Sequence, residues 1–119
     1  METLCKIRDI YRLIYDFEQN FEKHFGLSLN EGMLLCSLTD VEKLSSGEIA
    51  STLGLTCSNT SKVIKSVEKK NLIERVIGAE DKRQMYFSLT NRGKETIHSI
   101  KSSDIEIPEA LTKLVSCTW

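Results

Sequence analysis

Proline occurs once in this chain of 119 residues, glycine six times, and aromatic residues make up only 7% of it. That scarcity excludes collagen-like and proline-rich low-complexity architectures. No apolar run approaches the roughly 20 residues that a bilayer-crossing helix needs. The opening Met1-Glu2-Thr3-Leu4-Cys5-Lys6 carries an early acid and no apolar block, so no secretory signal is visible and a soluble cytoplasmic protein is expected. Four cysteines (Cys5, Cys36, Cys57, Cys117) form no CxxC pair, and there are only two histidines, His24 and His98. Zinc requires clustered ligands, so no metal is expected; the thiols read as buried or half-buried groups in a reducing compartment. No glycine-rich phosphate loop and no Ser/His/Asp or Cys/His set with local spacing is present. Catalytic residues and cofactors are therefore expected to be none.

What is present is 40% apolar and 28% charged sequence, enough for one ordinary core without disulfide or metal support. The net charge of −1 hides a division along the chain. Residues 1–41 carry four Lys/Arg against seven Asp/Glu, residues 42–101 eleven against seven, and residues 102–119 one against three. Positive charge is thus gathered in the middle, an asymmetry that fits either a polyanion partner or a solvated basic surface.

Residues 3–25 read as one amphipathic helix, with Leu4, Ile7, Tyr11, Ile14, Phe21 and Phe25 at spacings of three and four. Ile10, Leu13 and Phe17 widen the stripe, so it must cover either its own core or a second subunit; Gly26 stops it. Ser28-x-x-Glu31 has capping-box spacing and opens a second helix whose Met33, Leu34, Leu35 and Leu38 supply the buried face. Ser45-x-x-Glu48 repeats the device for a third helix, with Ile49, Ala50 and Leu53 inward and Gly54 as its C-cap. Thr56 caps a fourth helix running to about Lys70, ended by Asn71. Helices in such close succession outline a helix-turn-helix. From Leu72 the period changes to two. Ile73–Ile77 and Gln84–Leu89 flank the polar segment 78–83, and the pattern is that of a β-hairpin. Thr90 or Asn91 caps a further helix to about Ser103. Pro108 restarts a short last one, whose Leu111, Leu114 and Val115 face inward.

The fourth helix carries the chemistry. At 100° per residue, Thr60, Val63, Ile64 and Val67 fall on one side. Opposite them lie Ser58, Lys62, Lys65 and Lys69, with Ser61 and Ser66 on the flanks and Glu68 turned away. Short hydroxyl and amide side chains such as those of Thr56, Ser58, Asn59 and Ser61 allow close approach to base edges in a major groove, and lysines along the stripe neutralise phosphates. The hairpin tip adds Lys82 and Arg83, and an arginine there suits a narrow minor groove. Asp81, two residues earlier, can brace that guanidinium or cap the turn.

These segments resemble the MarR family of winged-helix transcriptional regulators, over about residues 3–101. The matching stretches are LSSGEIASTLG (44–54), TCSNTSKVIKSVEKKNLIER (56–75) and DKRQMYFSLTNRGKE (81–95). Asp81 and Arg83 match the family's wing Asp-x-Arg. Leu89, Thr90 and Gly93 match its Leu-Thr-x-x-Gly, and Arg75 stands on the first wing strand. The resemblance implies a mainly α fold with a small β-hairpin wing (α+β), a winged helix-turn-helix with N- and C-terminal dimerisation helices. It divides the single domain 1–119 into a dimerisation helix (3–25), the winged helix-turn-helix with its following helix (28–101) and a short C-terminal dimerisation segment (102–119). It also implies a homodimer on a pseudo-palindromic double-stranded DNA operator. Bases would be read by residues near Ser58, Asn59, Ser61 and Lys62, minor-groove insertion would fall to Arg83, and wing bracing to Asp81 and Arg75. Many members sense small aromatic effectors or oxidants, which makes Cys5, Tyr11, Tyr15 and Cys57 candidates for such a role. Core packing is the simpler expectation for the tyrosines and inertness for the thiols. Two departures stand out: the segment after Ser103 is short, and Lys62 stands where many relatives have Arg. The alternative use of such a fold is a protein-interaction module that meets an acidic partner without binding DNA.

Overall fold

A computed structural model describes residues 2–112, and its first element is helix α1 (Glu2–Phe25). The described residues form two compact units: one holds the chain up to Leu29 and again from Ile100, the other Asn30–Ser99. In the first unit the stripe on α1 keeps its helical spacing, yet Phe21 is its one buried member. The Phe21 ring lies between those of Phe17 and Phe25, with centroids 6.1 and 4.9 Å away. Leu27, Ile100 and Ile105 are the other buried apolar residues of this unit. Leu4, Ile7, Ile10 and Ile14 are exposed, and so are Tyr11 (76%) and Tyr15 (60%). Core packing within the chain therefore does not account for the two tyrosines. Helix α6 (Glu109–Thr112) follows Pro108, whose carbonyl accepts the Leu111 N–H at 2.8 Å. Leu111 is half-buried, while Leu114, Val115 and Cys117 lie outside the described residues.

In the second unit, helix α2 (Leu29–Ser37) buries Glu31, Gly32, Leu34 and Leu35, and Leu38 just beyond it. Met33 was expected on that face but is exposed. Residues 31, 34, 35 and 38 follow helical spacing, and position 33 lies about 200° from 31, off the stripe. Helix α3 (Ser46–Leu53) opens on a complete capping box: the Ser45 N–H donates to Glu48 Oε1 (3.0 Å) and the Glu48 N–H to Ser45 Oγ (3.2 Å). The Ser45 backbone N–H, and then its hydroxyl, hold the Glu48 carboxyl below its ordinary pKa. Gly54 closes α3 in the left-handed region (φ 67°), where a Cβ would be strained. Helix α4 (Cys57–Lys69) begins after only Leu55 and Thr56.

The expected hairpin is present as strands β2 (Ile73–Ile77) and β3 (Met85–Leu89), paired antiparallel from Ile73–Leu89 to Ile77–Met85. The sheet has a third member. Strand β1 (Leu44–Ser45) pairs with β3 through Leu44–Phe87 and Ser45–Tyr86, giving the order β1-β3-β2. Two residues offer no alternation to read, and these two merge into the cap of α3. Helix α5 (Asn91–Lys101) stops two residues short of the expected end. Its cap, Thr90, ties three elements together. Thr90 Oγ1 accepts from the Gly93 N–H (3.0 Å) and donates to the Asn71 carbonyl (2.6 Å), while the Thr90 N–H donates to the Leu72 carbonyl (3.1 Å). The core joins Leu34, Leu35 and Leu38 of the α2 region, Ile49 of α3, Ile64 and Val67 of α4, Leu72, Ile73, Phe87 and Ile97. Each fully buried aliphatic or aromatic side chain contributes roughly 1.5–3 kcal/mol.

Candidate nucleic-acid interface

Helix α4 is held from its first turn. Thr56 is the N-cap, in extended backbone, and its Oγ1 accepts the Asn59 N–H at 3.1 Å. The buried Thr60 hydroxyl donates to the Thr56 carbonyl (2.7 Å), so a polar group on the inner face has its partner. Thr60, Ile64 and Val67 anchor that face in the core, with Val63 half-buried. The opposite side is turned to solvent: Thr56, Ser58, Asn59, Ser61, Lys62, Lys65 and Lys69 are all exposed. Among the described residues none of the three lysines has an ion-pair partner.

The acid of α4 is accounted for elsewhere. Glu68 takes a two-pronged bond from Arg75 on β2, Nε to Oε2 at 2.9 Å and a terminal nitrogen to Oε1 at 3.2 Å. The bond to Glu68, and then its charge, raise the Arg75 pKa further. The guanidinium also lies 5.7 Å from the Phe87 ring. Arg75 thus braces the base of the wing against α4 rather than the tip.

A second fastening was not anticipated from sequence. Glu31, 5% exposed on α2, accepts from the Ser66 hydroxyl (Oε2, 2.8 Å) and from Lys70 Nζ (3.0 and 2.9 Å). A carboxylate taken out of water must be paired, and here the pairing clamps the C-terminal half of α4 onto α2. Ser66 and Lys70 stand one helical turn apart, and Glu31 sits in an apolar stripe where an acid is out of place. Those two facts are the available sequence signal. Lys70 consequently stands apart from the open stripe of Lys62, Lys65 and Lys69.

The wing tip is closed by the Gly78 N–H to the Gln84 carbonyl (2.9 Å) and the Gln84 N–H to the Asp81 carbonyl (3.0 Å). Asp81 Oδ1 receives both the Arg83 N–H (2.9 Å) and Arg83 Nε (3.3 Å). One carboxylate oxygen therefore caps the turn and orients the guanidinium, whose side chain is 93% exposed. Lys82 is exposed beside it. At the wing's other edge Lys43 Nζ stands 4.5 Å above the Tyr86 ring, and the Tyr86 hydroxyl donates to Gln84 Oε1.

The thiols differ from expectation. Cys5, Cys36 and Cys57 are exposed rather than buried or half-buried. Tyr11 and Tyr15 line an open concave stretch of α1 with Arg8, Arg12 and Asp16. Among the described residues no helix is long and apolar enough to cross a membrane.

Three comparisons place this geometry among known proteins. The model of the MarR family matches residues 27–85, which run from the end of α1 to the start of β3. The HTH-type transcriptional regulator SarZ of Staphylococcus epidermidis is 30% identical over 76 residues, covering 64% of this chain and 51% of that protein. The chain thus spans about half the length of the curated relatives it matches. Among solved structures, AbsC, a MarR family transcriptional regulator from Streptomyces coelicolor, is 25% identical with a TM-score of 0.71, covering 95% of this chain and 86% of that one. The MepR–DNA complex of S. aureus is 24% identical with a TM-score of 0.68, covering 92% and 95%. Both share the winged arrangement of helices and small sheet.

Proposed function

Because this chain belongs to the MarR family, we propose that it is a sequence-specific double-stranded-DNA-binding transcriptional regulator, with α4 in the major groove and the wing in the adjacent minor groove. The observation that carries this reading is the outward side of α4: hydroxyls and an amide at its N-terminal end, three unpaired lysines after them, and no acid. Small polar groups near the helix start can approach base edges. The lysines neutralise phosphates without reading sequence. The braced, exposed Arg83 supplies the minor-groove contact. The relative MepR is described in complex with DNA, and SarZ as an HTH-type transcriptional regulator, which supports the same role.

The exposed apolar stripe of α1 supports a homodimer that buries Leu4, Ile7, Ile10 and Ile14 between copies, and so presents two winged helices to a pseudo-palindromic operator in the cytoplasm. Lys65→Ala tests the α4 assignment. Affinity should fall by a similar factor on every duplex, and the slope of log K against log salt should shrink by about one for each subunit on the DNA. Electrophoretic mobility shifts at several salt concentrations read both quantities. An unchanged slope would remove Lys65 from the interface. Retention of an acidic protein partner with no DNA shift at all would favour the protein-interaction module.

A further inference from the structure

The wing carries an apolar pair that stands exposed among the described residues. Ile77 and Met85 are directly opposite in the β2–β3 register, so their side chains share one face of the ribbon. Further inward on that face Phe87 and Ile73 are sealed in the core, whereas Ile77 is 60% and Met85 37% exposed. Arg75, between them on the same face, reaches α4 through Glu68. The pair therefore opens to the side of the sheet on which α4 lies. Toward the tip, Met85 opens β3 two residues after Arg83. A projecting ribbon ordinarily keeps such positions polar or charged, and here the loop between Ile77 and Met85 carries exposed Glu80, Lys82 and Arg83.

We infer that Ile77 and Met85 form an apolar seat for the deoxyribose wall of the minor groove beside Arg83; this rests on the DNA-binding reading above. The inner walls of that groove are sugar C–H surfaces, which charged side chains cannot contact favourably, and minor-groove proteins use apolar side chains beside their cations. The occupant follows from continuity with α4, on that side of the sheet: its Lys62, Lys65 and Lys69 are exposed and without ion-pair partners among the described residues, and they complement a polyanion. Sugars are common to all sequences, so the seat adds affinity without reading bases.

The test is the double variant Ile77→Thr/Met85→Gln, with Met85→Gln alone as the milder form. A fluorescent duplex of random sequence, titrated over a range of salt, serves as the probe. Threonine keeps β-branching and both sites are exposed, so the thermal midpoint should match the parent's. Affinity should fall about tenfold on all duplexes while the salt slope stays that of the parent, because no charge is removed. The milder variant should fall part of the way. Affinity within about twofold of the parent, while Lys65→Ala still weakens binding, would overturn the seat and leave the DNA reading standing. A parent that shows no salt-dependent binding would overturn both. A smaller oligomer in sedimentation for the variant would assign the pair to contact between copies, and so overturn the seat as well.

Discussion

Gly93→Ala should cost about 3 kcal/mol of folding stability or more, a large share of the 5–15 kcal/mol that holds an ordinary domain together. A Cβ at this position would meet the Leu72 carbonyl oxygen at 2.1 Å, with the Leu72 carbonyl carbon and Leu89 Cδ2 both at 3.1 Å. The obstacle is backbone, and it is pinned. The Leu72 carbonyl accepts the Thr90 N–H, Thr90 Oγ1 holds the Asn71 carbonyl, and the Leu72 side chain is buried. Making room means drawing α5 away from the turn that ends α4, which loosens the base of the wing. Urea denaturation checks this against Gly47→Ala, a helical position where a Cβ meets nothing within 4 Å. The control should match the parent or exceed it by up to about 1 kcal/mol, since alanine suits a helix interior better than glycine. Equal midpoints for Gly93→Ala and the parent would mean that the close approach at Leu72 is not a real constraint.

Arg83→Ala should weaken DNA binding about ten- to a hundredfold where the flanking minor groove is A·T-rich and narrow, and clearly less where it is G·C-rich. The reason is the division of labour at the tip. Asp81 engages the Arg83 backbone N–H and Nε through one oxygen, which leaves the terminal nitrogens of an almost fully exposed guanidinium free to enter the groove. A narrow groove raises the negative potential that an inserted cation meets, so the flank sets the size of the loss. Asp81→Asn should give a smaller loss with the same flank preference, because the neutral amide keeps an acceptor for the turn but holds the cation less well. Titrations on two duplexes that differ only in their flanks supply the measurement. Equal losses on both would rule out insertion.

The elements that bear on function were legible because their signals are local. The Ser45–Glu48 box, the Thr56 cap, the Gly54 terminator and the 100° arrangement of Ser58, Lys62, Lys65 and Lys69 each depend on residues within one or two helical turns. The structure adds what only tertiary contact decides. Glu31 meets Ser66 and Lys70 across more than 30 positions, so no spacing rule couples them, yet the bond separates Lys70 from the open stripe. Glu68 was visible as lying off the lysine stripe, but its partner Arg75 comes from the next element. Strand β1 is too short to alternate, and its strand character comes from pairing with β3. Met33, Tyr11 and Tyr15 show the opposite error. Helical patterning places apolar or aromatic residues inward, whereas their exposure depends on which side the neighbouring elements cover. Gly93 was legible as part of a pattern, while the carbonyl that forbids any other residue there was not.

Selection of duplexes from a random library at two salt concentrations bears most directly on whether the acid-free side of α4 lies along DNA. The recovered sequences should share two inverted half-sites about 10 base pairs apart, centre to centre. Recovery should fall steeply between the lower and the higher salt. A pool with no common sequence, bound equally at both concentrations, would contradict it.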